Sequence, residues 1–482
     1  MKVLFFSVSS SFVHTLLAPR YLRANSSVPF DIYETNVNVP IEKNFGYIKN
    51  YNPDLIAFSC YIFNISYIKI LLGKIREELP SVITVLGGYE AAFNADSLIN
   101  SCSFIIKGEG DFSFGKLLED IRDNKIKAPE IIESGTVKQL DKIKSPYTEE
   151  YCKLGGQNRI LYMETSRGCP FGCSYCMSAN THGVRSFSFE RIESDFEKIM
   201  RFKPRLIKLV DRTFNYDKER AGKIFSFLIE KYGESGTRFH FEMAPELFDE
   251  NLFLVLSKAP KGLFQFEIGV QSYNEDTLKA VRRKADTEKI DANLRRIISM
   301  KNIPVHVDLI VGLPHENKEV FIRGFDRLLS IRPDCMQEGF LKVLPGSEIA
   351  ENADGYNVSP LPPYEIISSP DMSEEDVKEL KNVSEMLDLY YNSGRFVKIM
   401  NFILDKFSPY SFFLGISRFY SEKSYSKRTL SALGQSDALY EYLSTILDGD
   451  ALGEAERLIY EDYILAGNVR KWHKWIEKTK KH

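Results

Sequence analysis

Residues 163–176 read Met-Glu-Thr-Ser-Arg-Gly-Cys-Pro-Phe-Gly-Cys-Ser-Tyr-Cys, which sets Cys169, Cys173 and Cys176 in a CxxxCxxC spacing. Three thiolates this close together can hold an iron–sulfur cluster, but a cubane cluster has four irons and takes four ligands. The fourth iron is therefore left for something other than a cysteine of this motif. An open metal position is typical of catalytic sites, because structural metal sites close their coordination shell.

Two other uses of the cysteines are disfavoured. Structural zinc would need a fourth ligand, and His182 is the nearby candidate, but zinc ligands usually come in two separated pairs and the sequence has no second pair. A disulfide framework does not suit seven cysteines in 482 residues with no secretory signal before them. The remaining cysteines, predicted to be small buried apolar residues, are Cys60, Cys102, Cys152 and Cys335.

Length and composition limit the possible classes of protein. A chain of 482 residues predicts two or three domains. The net charge of −3 gives no electrostatic reason to expect a nucleic-acid partner. The most apolar stretch, residues 55–72, contains Ser59, Asn64 and Lys69, so it predicts a strand and a helix rather than a membrane span. Sparse cysteines and no targeting segment predict a cytoplasmic location, and a cluster with an open iron favours low-oxygen conditions.

The N-terminal part alternates short apolar runs with amphipathic ones. Strands are predicted at residues 2–8, 30–35, 54–61, 82–87 and 104–107, with helices between them. This alternation predicts a parallel, doubly wound sheet over residues 1–130, followed by a connector over 131–156. Ligands of such sheets lie past the carboxyl ends of the strands, where glycines allow close approach of a flat or phosphate-bearing group.

A second α/β pattern follows. Strands are predicted at residues 160–164, 206–210, 238–243, 263–270, 305–311 and 339–344. Six such units predict a partial (β/α)6 barrel over residues 157–355, with the cysteine loop after the first strand at the catalytic end. The sequence Pro-Leu-Pro-Pro-Tyr-Glu at 360–365 marks a boundary, and the helical periods beyond it predict a helical C-terminal domain over 360–482.

A family resemblance is carried by the first domain. A serine at the end of the third strand and Leu-Gly-Gly at the end of the fourth resemble the cobalamin-binding domain that precedes many radical S-adenosylmethionine enzymes. Domains of this kind that supply an axial ligand carry Asp-x-His-x-x-Gly after the first strand. Here the stretch reads Ser-Val-Ser-Ser-Ser-Phe-Val-His-Thr, so His14 lacks the aspartate two residues before it. The resemblance therefore leaves two possibilities for cobalamin binding. The domain binds cobalamin without a histidine of this motif, or it has kept the fold and lost the ligand.

The cysteine motif carries a more specific resemblance. CxxxCxxC in a loop after the first strand of a partial barrel resembles the signature of the radical S-adenosylmethionine superfamily. The resemblance implies that three thiolates bind three irons of a [4Fe–4S] cluster and that S-adenosylmethionine chelates the fourth. One electron passed into the sulfonium then leaves a 5′-deoxyadenosyl radical, which abstracts hydrogen from a substrate. It also implies a small-molecule substrate and an electron donor such as flavodoxin or ferredoxin.

The resemblance further implies residues around S-adenosylmethionine. Tyr175 matches an aromatic residue that lies near the adenine, and Glu267 and Gln271 resemble residues that hold the ribose or methionine moiety. Gly312 begins a stretch similar to the adenine-supporting GxIxGxxE motif. Glu242, at the end of the third barrel strand, is expected near the cofactor too. No catalytic residue is assigned.

Taken over its length, the chain is similar to cobalamin-domain radical enzymes with a C-terminal domain of unknown function. Within that group the preferred hypothesis is radical bond cleavage of a 7-deazapurine base, as in the queuine lyases of queuosine salvage, because the corrinoid histidine motif is absent and no nucleic-acid patch is evident. A cobalamin-dependent methyltransferase is the alternative. An iron–sulfur redox sensor or binding protein is a further one, but a sensor does not need polar residues at successive strand ends.

Overall fold

The computed structural model describes residues 1–181, 183–425 and 430–467, so His182, the zinc-ligand candidate, lies outside the described residues. The chain divides into two compact units. The first unit contains Met1–Phe266, Lys342–Asp354 and Val358–Glu365. The second contains Glu267–Leu341, Gly355–Asn357 and the part of the chain from Ile366 on.

The first sheet has six parallel strands. They are β1 (Val3–Ser9), β2 (Asp31–Asn36), β3 (Leu55–Ser59), β4 (Ile83–Gly87), β5 (Phe104–Gly108) and β6 (Glu130–Gly135). The helices between them are α1 (Ala18–Asn25), α2 (Ile41–Tyr51), α3 (Ile65–Glu78), α4 (Tyr89–Phe93), α5 (Ala95–Leu98) and α6 (Gly110–Arg122). The strand order β2-β1-β3-β4-β5-β6 confirms the predicted doubly wound sheet and places its topological switch point between β1 and β3.

Helices cover both faces of this sheet. Every residue of β1 and of β3 is buried, as expected for central strands of a parallel sheet. On one face Phe5 packs edge-on against Phe114 of α6, with ring centroids 5.8 Å apart. On the other face Leu4 and Phe6 belong to a core cluster that includes Leu71 of α3. Because both faces are covered, only the strand ends are free to meet a ligand.

The strand β6 falls at the start of the segment predicted to be a connector. It is an edge strand whose apolar content is Ile131 and Ile132, and Lys107 of β5 forms an ion pair with Glu133 at 2.9 Å. Edge strands are often short and charged, so their hydrophobic period is weak. The sheet therefore extends to Gly135, and the helix α7 (Glu149–Lys153) lies in the segment that follows.

The second sheet also has six strands. An antiparallel hairpin of β8 (Ser166–Cys169) and β9 (Gly183–Ser186) follows its first strand, β7 (Leu161–Met163). The other strands are β10 (Leu206–Leu209), β11 (Arg238–Met243), β12 (Phe264–Gln271), β13 (Val305–Val311) and β14 (Cys335–Phe340). The order β7-β10-β11-β12-β13-β14 confirms the predicted sequence of six units, and the division between the two units of the chain falls within β12.

Helices alternate with these strands. They are α8 (Phe189–Met200), α9 (Lys218–Tyr232), α10 (Glu250–Leu256), α11 (Glu275–Ala280), α12 (Thr287–Met300) and α13 (Lys318–Leu329). Phe196 of α8 packs edge-on against Phe239 of β11 at 5.7 Å, and Phe225 of α9 packs against Phe241 at 5.0 Å. The odd-numbered residues of β11 thus face the helices, and its even-numbered residues face the other way.

The last strand lies earlier in the chain than predicted. The sequence predicted residues 339–344, but β14 runs over Cys335–Phe340. Gln337 and Glu338 interrupt the apolar pattern, which hides the strand from a hydrophobicity argument. Glu338 is nevertheless buried, and burial raises the pKa of its carboxyl to about 8.

The C-terminal region is helical, as predicted. After α14 (Glu348–Glu351) and the short strands β15 (Asn357–Val358) and β16 (Ile366–Ser368), the described residues continue in α-helices. They are α15 (Glu374–Leu387), α16 (Val397–Lys406), α17 (Pro409–Glu422), α18 (Ala432–Ile446) and α19 (Gly449–Leu465). Val377, Leu380 and Val383 of α15 are buried at the predicted helical period. Among the described helices none is long and apolar enough to cross a membrane.

Candidate functional site

A cavity of about 830 Å³ lies in the first unit, at the carboxyl ends of β1, β3, β4 and β5. Its wall on that side includes Ser9, Tyr61, Tyr89 and Glu109, each just past the end of a strand or at its last residue. Arg167 of the β8–β9 hairpin lines the same cavity. The first sheet and the cysteine-bearing hairpin therefore line one cavity, at the edge where parallel sheets bind ligands.

Aromatic rings line part of this cavity. Phe63, Tyr89 and Phe93 are each about two-fifths exposed, which is unusual for large apolar side chains at the ends of central strands. Tyr61 stacks on Phe63 with ring centroids 5.4 Å apart, and Tyr89 and Phe93 are nearly coplanar in orientation at 6.3 Å. These rings are exposed to the cavity, so they offer flat apolar surface that a flat ligand such as a corrin ring would cover.

The glycines at the strand ends are required by the backbone that surrounds them. Gly88 has φ +90°, and a Cβ there would lie 2.7 Å from the carbonyl oxygen of Cys60. At Gly108, with φ +101°, a Cβ would lie 2.9 Å from the carbonyl oxygen of Gly135. Both glycines are therefore required by the neighbouring strand end. Gly88 and Gly108 also line the cavity beside the aromatic side chains, so close approach of a ligand to them stays a prediction.

The β8–β9 hairpin presents the cysteine loop. Cys169 pairs with Gly183 across the hairpin, and its Sγ lies 3.4 Å from Thr213 Oγ1. The amide of Cys176 donates to the carbonyl of Cys173 at 3.0 Å, which closes a turn around Tyr175. Cys173 is buried, while Cys169 and Cys176 are partly exposed. The end of β8 thus holds Cys169, and the turn that follows holds Cys173 and Cys176.

The donor set fits an iron–sulfur cluster. No group of three His, Cys, Asp or Glu side chains within the described ranges is arranged around a single metal-ion position. A cubane cluster does not need such convergence, because each of its thiolate ligands binds a different iron. Three cysteines on one loop, with an adjoining cavity, satisfy that looser requirement and leave one iron for another ligand.

An ion-pair network holds the hairpin against the end of β5. The guanidinium of Arg167 donates to Asp111 Oδ2 at 2.6 Å and to Glu164 Oε2 at 3.0 Å. On the partner strand, Arg185 donates to both oxygens of Glu109, at 2.5 and 3.0 Å. Charged pairs of this bidentate type fix geometry as well as adding energy. The network therefore sets the position of the cysteine loop relative to the first sheet.

The pKa values of two carboxyl groups in this network are shifted. Burial raises the pKa of Glu164 to about 7, against the opposing effect of Arg167. Burial would also raise the pKa of Glu109, but hydrogen bonds from Arg185 and from the amide of Val137 lower it overall. The sequence did not predict this network. Its partners are up to 76 residues apart, so no local pattern announces them.

A second charged pair lies at the ends of β10 and β11. Arg212 Nη1 is 3.8 Å from Glu242 Oε1, and the arginine side chain lines the cavity. Burial alone would lower the pKa of Arg212, but Glu242 and the thiolates of Cys176 and Cys169 raise it. The predicted cofactor residue Glu242 thus lies in the same charged neighbourhood as the cysteine loop.

The other three predicted cofactor residues lie in the second unit. Gln271 has φ +72°, and its amide folds over Gly269, where a Cβ would lie only 1.9 Å from Nε2. Gly312 has φ +89°, and a Cβ there would lie 2.0 Å from Cδ1 of Ile366. Packing explains why Gly312 is a glycine. Contacts of Glu267, Gln271 and Gly312 with S-adenosylmethionine stay predictions.

Three family models match the chain. Residues 19–118 match the B12 binding domain, residues 163–327 the Radical SAM superfamily, and residues 354–482 a protein of unknown function (DUF4080). The chain therefore combines a B12-binding domain, a radical SAM domain and a DUF4080 C-terminal domain. The radical SAM match implies the predicted cofactors, a [4Fe–4S] cluster and S-adenosylmethionine, and the B12-binding match fits cobalamin.

Two curated proteins are similar over much of the chain. The cobalamin-dependent radical SAM methyltransferase TokK of Streptomyces tokunonensis is 24% identical over 456 residues, which cover 86% of this chain and 65% of TokK. The 2-(S-pantetheinyl)-carbapenam-3-carboxylate methyltransferase of Streptantibioticus cattleyicolor is 21% identical over 375 residues, covering 69% of this chain and 54% of that protein. The chain thus spans less than two thirds of the length of each of these relatives.

Solved structures share the fold. OxsB, a cobalamin-dependent S-adenosylmethionine radical enzyme solved with aqua-cobalamin and S-adenosylmethionine, matches with a TM-score of 0.63 and 13% identity, covering 98% of this chain and 85% of that chain. The radical S-adenosylmethionine methyltransferase TsrM from Kitasatospora setae was solved with cobalamin and a [4Fe–4S] cluster. It matches with a TM-score of 0.61 and 13% identity, covering 97% of this chain and 100% of that chain. These likenesses confirm the α/β fold class predicted from the sequence.

Proposed function

We propose that the protein is a cobalamin-dependent radical S-adenosylmethionine methyltransferase that acts on a small organic molecule. The observation that carries the proposal is the cavity, which the ends of the first sheet and the cysteine-bearing hairpin line together. When bound there, the cluster and S-adenosylmethionine would supply a 5′-deoxyadenosyl radical, and the corrinoid would supply methyl-group chemistry. A one-electron donor such as flavodoxin or ferredoxin is part of the proposal.

The residues of the chain have distinct roles in this proposal. Cys169, Cys173 and Cys176 hold the cluster, and the stacked aromatic side chains at the ends of β3 and β4 cover one side of the corrinoid. The ion pairs of Arg167 and Arg185 keep the cysteine loop at a fixed distance from that surface. The charged side chains of Arg212 and Glu242 lie near the cysteine loop, where the polar groups of S-adenosylmethionine would lie.

The comparisons favour methyl transfer over the queuine cleavage preferred from the sequence. Similar proteins are named as methyltransferases, and the preference for a lyase depended on a missing histidine motif. That motif is a weak criterion, because a flat apolar wall can hold a corrinoid without an axial protein ligand. The cytoplasmic location and the small-molecule substrate remain predictions.

One experiment separates methyl transfer from lyase chemistry. The reconstituted, reduced protein is incubated without oxygen with S-adenosylmethionine that carries a deuterated methyl group, with and without added hydroxocobalamin. Methyl transfer predicts S-adenosylhomocysteine that forms only when cobalamin is present, together with 5′-deoxyadenosine. Formation of 5′-deoxyadenosine alone, unchanged by cobalamin, would contradict the proposal and favour radical cleavage.

A further inference from the structure

The second sheet carries a row of polar side chains on its inner face within the first unit. The register places Lys208 of β10 beside Tyr162 of β7 and beside His240 of β11. Residues next to them in the chain, such as Leu161 and Phe239, are fully buried on the opposite, helix-covered face. Because neighbours across parallel strands point the same way, these three polar side chains share one level of the inner face.

This row lies below the strand ends. Tyr162 and Lys208 precede Glu164 and Val210 by two residues, and Glu164, Val210 and Tyr162 all line the cavity. Two residues of a strand span about 6–7 Å, so the row lies that far beneath the level of the cysteine hairpin. Parallel barrels usually fill such a level with bulky branched side chains. Here Tyr162, Lys208 and His240 occupy this level instead, which indicates that it binds a polar group.

His14 completes the row from the first domain. The loop after β1 forms an isolated parallel bridge between His14 and Ile160, and the imidazole Nδ1 lies 2.6 Å from the hydroxyl of Tyr162. Arg159 fixes the loop by donating to the carbonyls of His14 and Phe12 at 2.9 and 3.0 Å. Burial and the neighbouring Lys208 lower the pKa of His14, so the cation of this row is the lysine.

Lys208 is partly buried without an ionic partner. Within the described residues of the first unit, no carboxylate oxygen lies within 4.0 Å of its ammonium group. The arginines at the strand ends, unlike Lys208, do have ionic partners. Arg167 contacts Asp111 and Arg185 contacts Glu109, both at hydrogen-bond distance. A partly desolvated charge is unfavourable unless an opposite charge or hydrogen-bond acceptors meet it. The row contains no acid that could serve.

We propose that Lys208, Tyr162 and His14 form an anion subsite that binds a carboxylate, or a comparable small anionic group, of the substrate. The inference rests on the proposed function and names the class of substrate for the same cavity, which His14 and Tyr162 line and beside which Lys208 lies in register with Tyr162. Lys208 supplies the charge. Tyr162 and the neutral imidazole of His14 bind each other, which uses one of their two protons, so the pair supplies one directional hydrogen bond to the anion. A substrate anchored at this level would extend about 6–7 Å upward to reach the strand ends, where the radical would form.

The test compares two probes of nearly equal shape, benzoate and benzamide, by calorimetric titration. The full chain carries its reconstituted cluster and is saturated with S-adenosylmethionine, so that the carboxylate position of the cofactor is filled. We expect benzoate to bind at least about tenfold more tightly than benzamide. Lys208→Met should remove this preference, and Lys208→Arg should keep it. Lys223→Met, on the exposed side of α9, serves as the matched control and should leave it unchanged.

Two further variants test the geometry of the subsite. Tyr162→Phe and His14→Gln should each weaken benzoate binding several-fold without affecting benzamide, because each breaks the hydrogen-bonded pair that directs one hydrogen bond to the anion. Absent benzoate binding, equal affinity for the two probes, or a preference that survives Lys208→Met would overturn the proposal. The titration requires no turnover. Failure of cobalamin-dependent S-adenosylhomocysteine formation would therefore reject the proposed function separately from the subsite.

Discussion

The two parallel sheets differ in where they can meet a ligand. Every residue of β1 and β3 in the first sheet is buried, whereas β7 and β10 in the second alternate buried and partly exposed residues. A sheet covered by helices on both faces is open only at its strand ends. A sheet with one uncovered face can also present side chains along its length. The first sheet therefore offers an edge of aromatic residues, and the second offers a polar inner face beneath the cysteine hairpin.

The largest effect is expected from removing a cluster ligand on the hairpin that adjoins both sheets. Cys173→Ala removes one of three ligands, so iron content and the broad absorption of the cluster should be lost, and with them 5′-deoxyadenosine formation. Cys335→Ala, in strand β14 outside the motif, should retain both. Iron analysis and product chromatography on the two anaerobically reconstituted variants measure the difference. Full cleavage activity in Cys173→Ala would contradict the assignment.

The next effect concerns the link between the hairpin and the first sheet. Arg167→Met leaves Asp111 and Glu164 without their cation in a largely buried setting, which should lower the free energy of unfolding by about 3–5 kcal/mol. Arg122→Met removes an exposed pair with Asp123 and should cause no measurable change. Denaturant titration compares the variants. Equal losses for both would show that the network does not stabilise the hairpin.

A pH effect is expected from the second sheet, whose strand β14 buries a carboxyl. Burial raises the pKa of Glu338 to about 8, so the folded state keeps a proton that the unfolded state releases near pH 4.5. That contribution to stability is complete below pH 4.5 and is lost as the pH rises toward 8. Glu338→Gln should stay within about 1 kcal/mol of the wild type at pH 5 and exceed it by about 4–5 kcal/mol at pH 9.

The control for this pH effect is Glu375→Gln, an exposed change on α15. Unfolding at pH 5 and pH 9 gives the comparison for both variants. The stability gap between Glu338→Gln and the wild type should widen with pH, while the Glu375→Gln gap should stay constant. A Glu338→Gln gap that narrows with rising pH would contradict the buried, protonated carboxyl in β14.

The smallest expected effect concerns the aromatic edge of the first sheet. Phe63→Ala and Tyr89→Ala should each weaken hydroxocobalamin binding about tenfold, because each removes flat apolar surface from the cavity wall. Phe112→Ala is the matched control, since Phe112 is 44% exposed but does not line the cavity. Absorbance titration measures the three dissociation constants. Equal affinities across the three variants would place the corrinoid elsewhere.

Much of the fold follows from local patterns. Apolar runs separated by amphipathic helices predicted both sheets, and the CxxxCxxC spacing predicted a cluster-binding loop that the structure places on one hairpin. The strand β6 was missed because an edge strand has little hydrophobic period. The strand β14 was predicted too late in the chain because Glu338 is buried although it carries a carboxyl group. These failures occur where tertiary environment outweighs local sequence.

The site could be predicted only in part. Ion pairs such as Arg185 with Glu109 join residues far apart in the chain, and the row of Tyr162 and Lys208 depends on strand register. Neither can be read from spacing along one strand. The lyase preference lacked support for a related reason. It relied on an absent histidine motif and an absent nucleic-acid patch, while the aromatic wall that can hold a corrinoid becomes visible only when β3 and β4 are paired.

The most direct test of the account is metal analysis of one sample for both cofactors. The chain is reconstituted anaerobically with iron, sulfide and hydroxocobalamin, passed through a desalting column, and analysed for iron and cobalt. The account predicts about four irons and about one cobalt per chain, with cobalt reduced in Tyr89→Ala and iron lost in Cys173→Ala. Retention of iron without cobalt would contradict the central claim that the first sheet holds a corrinoid beside the cluster.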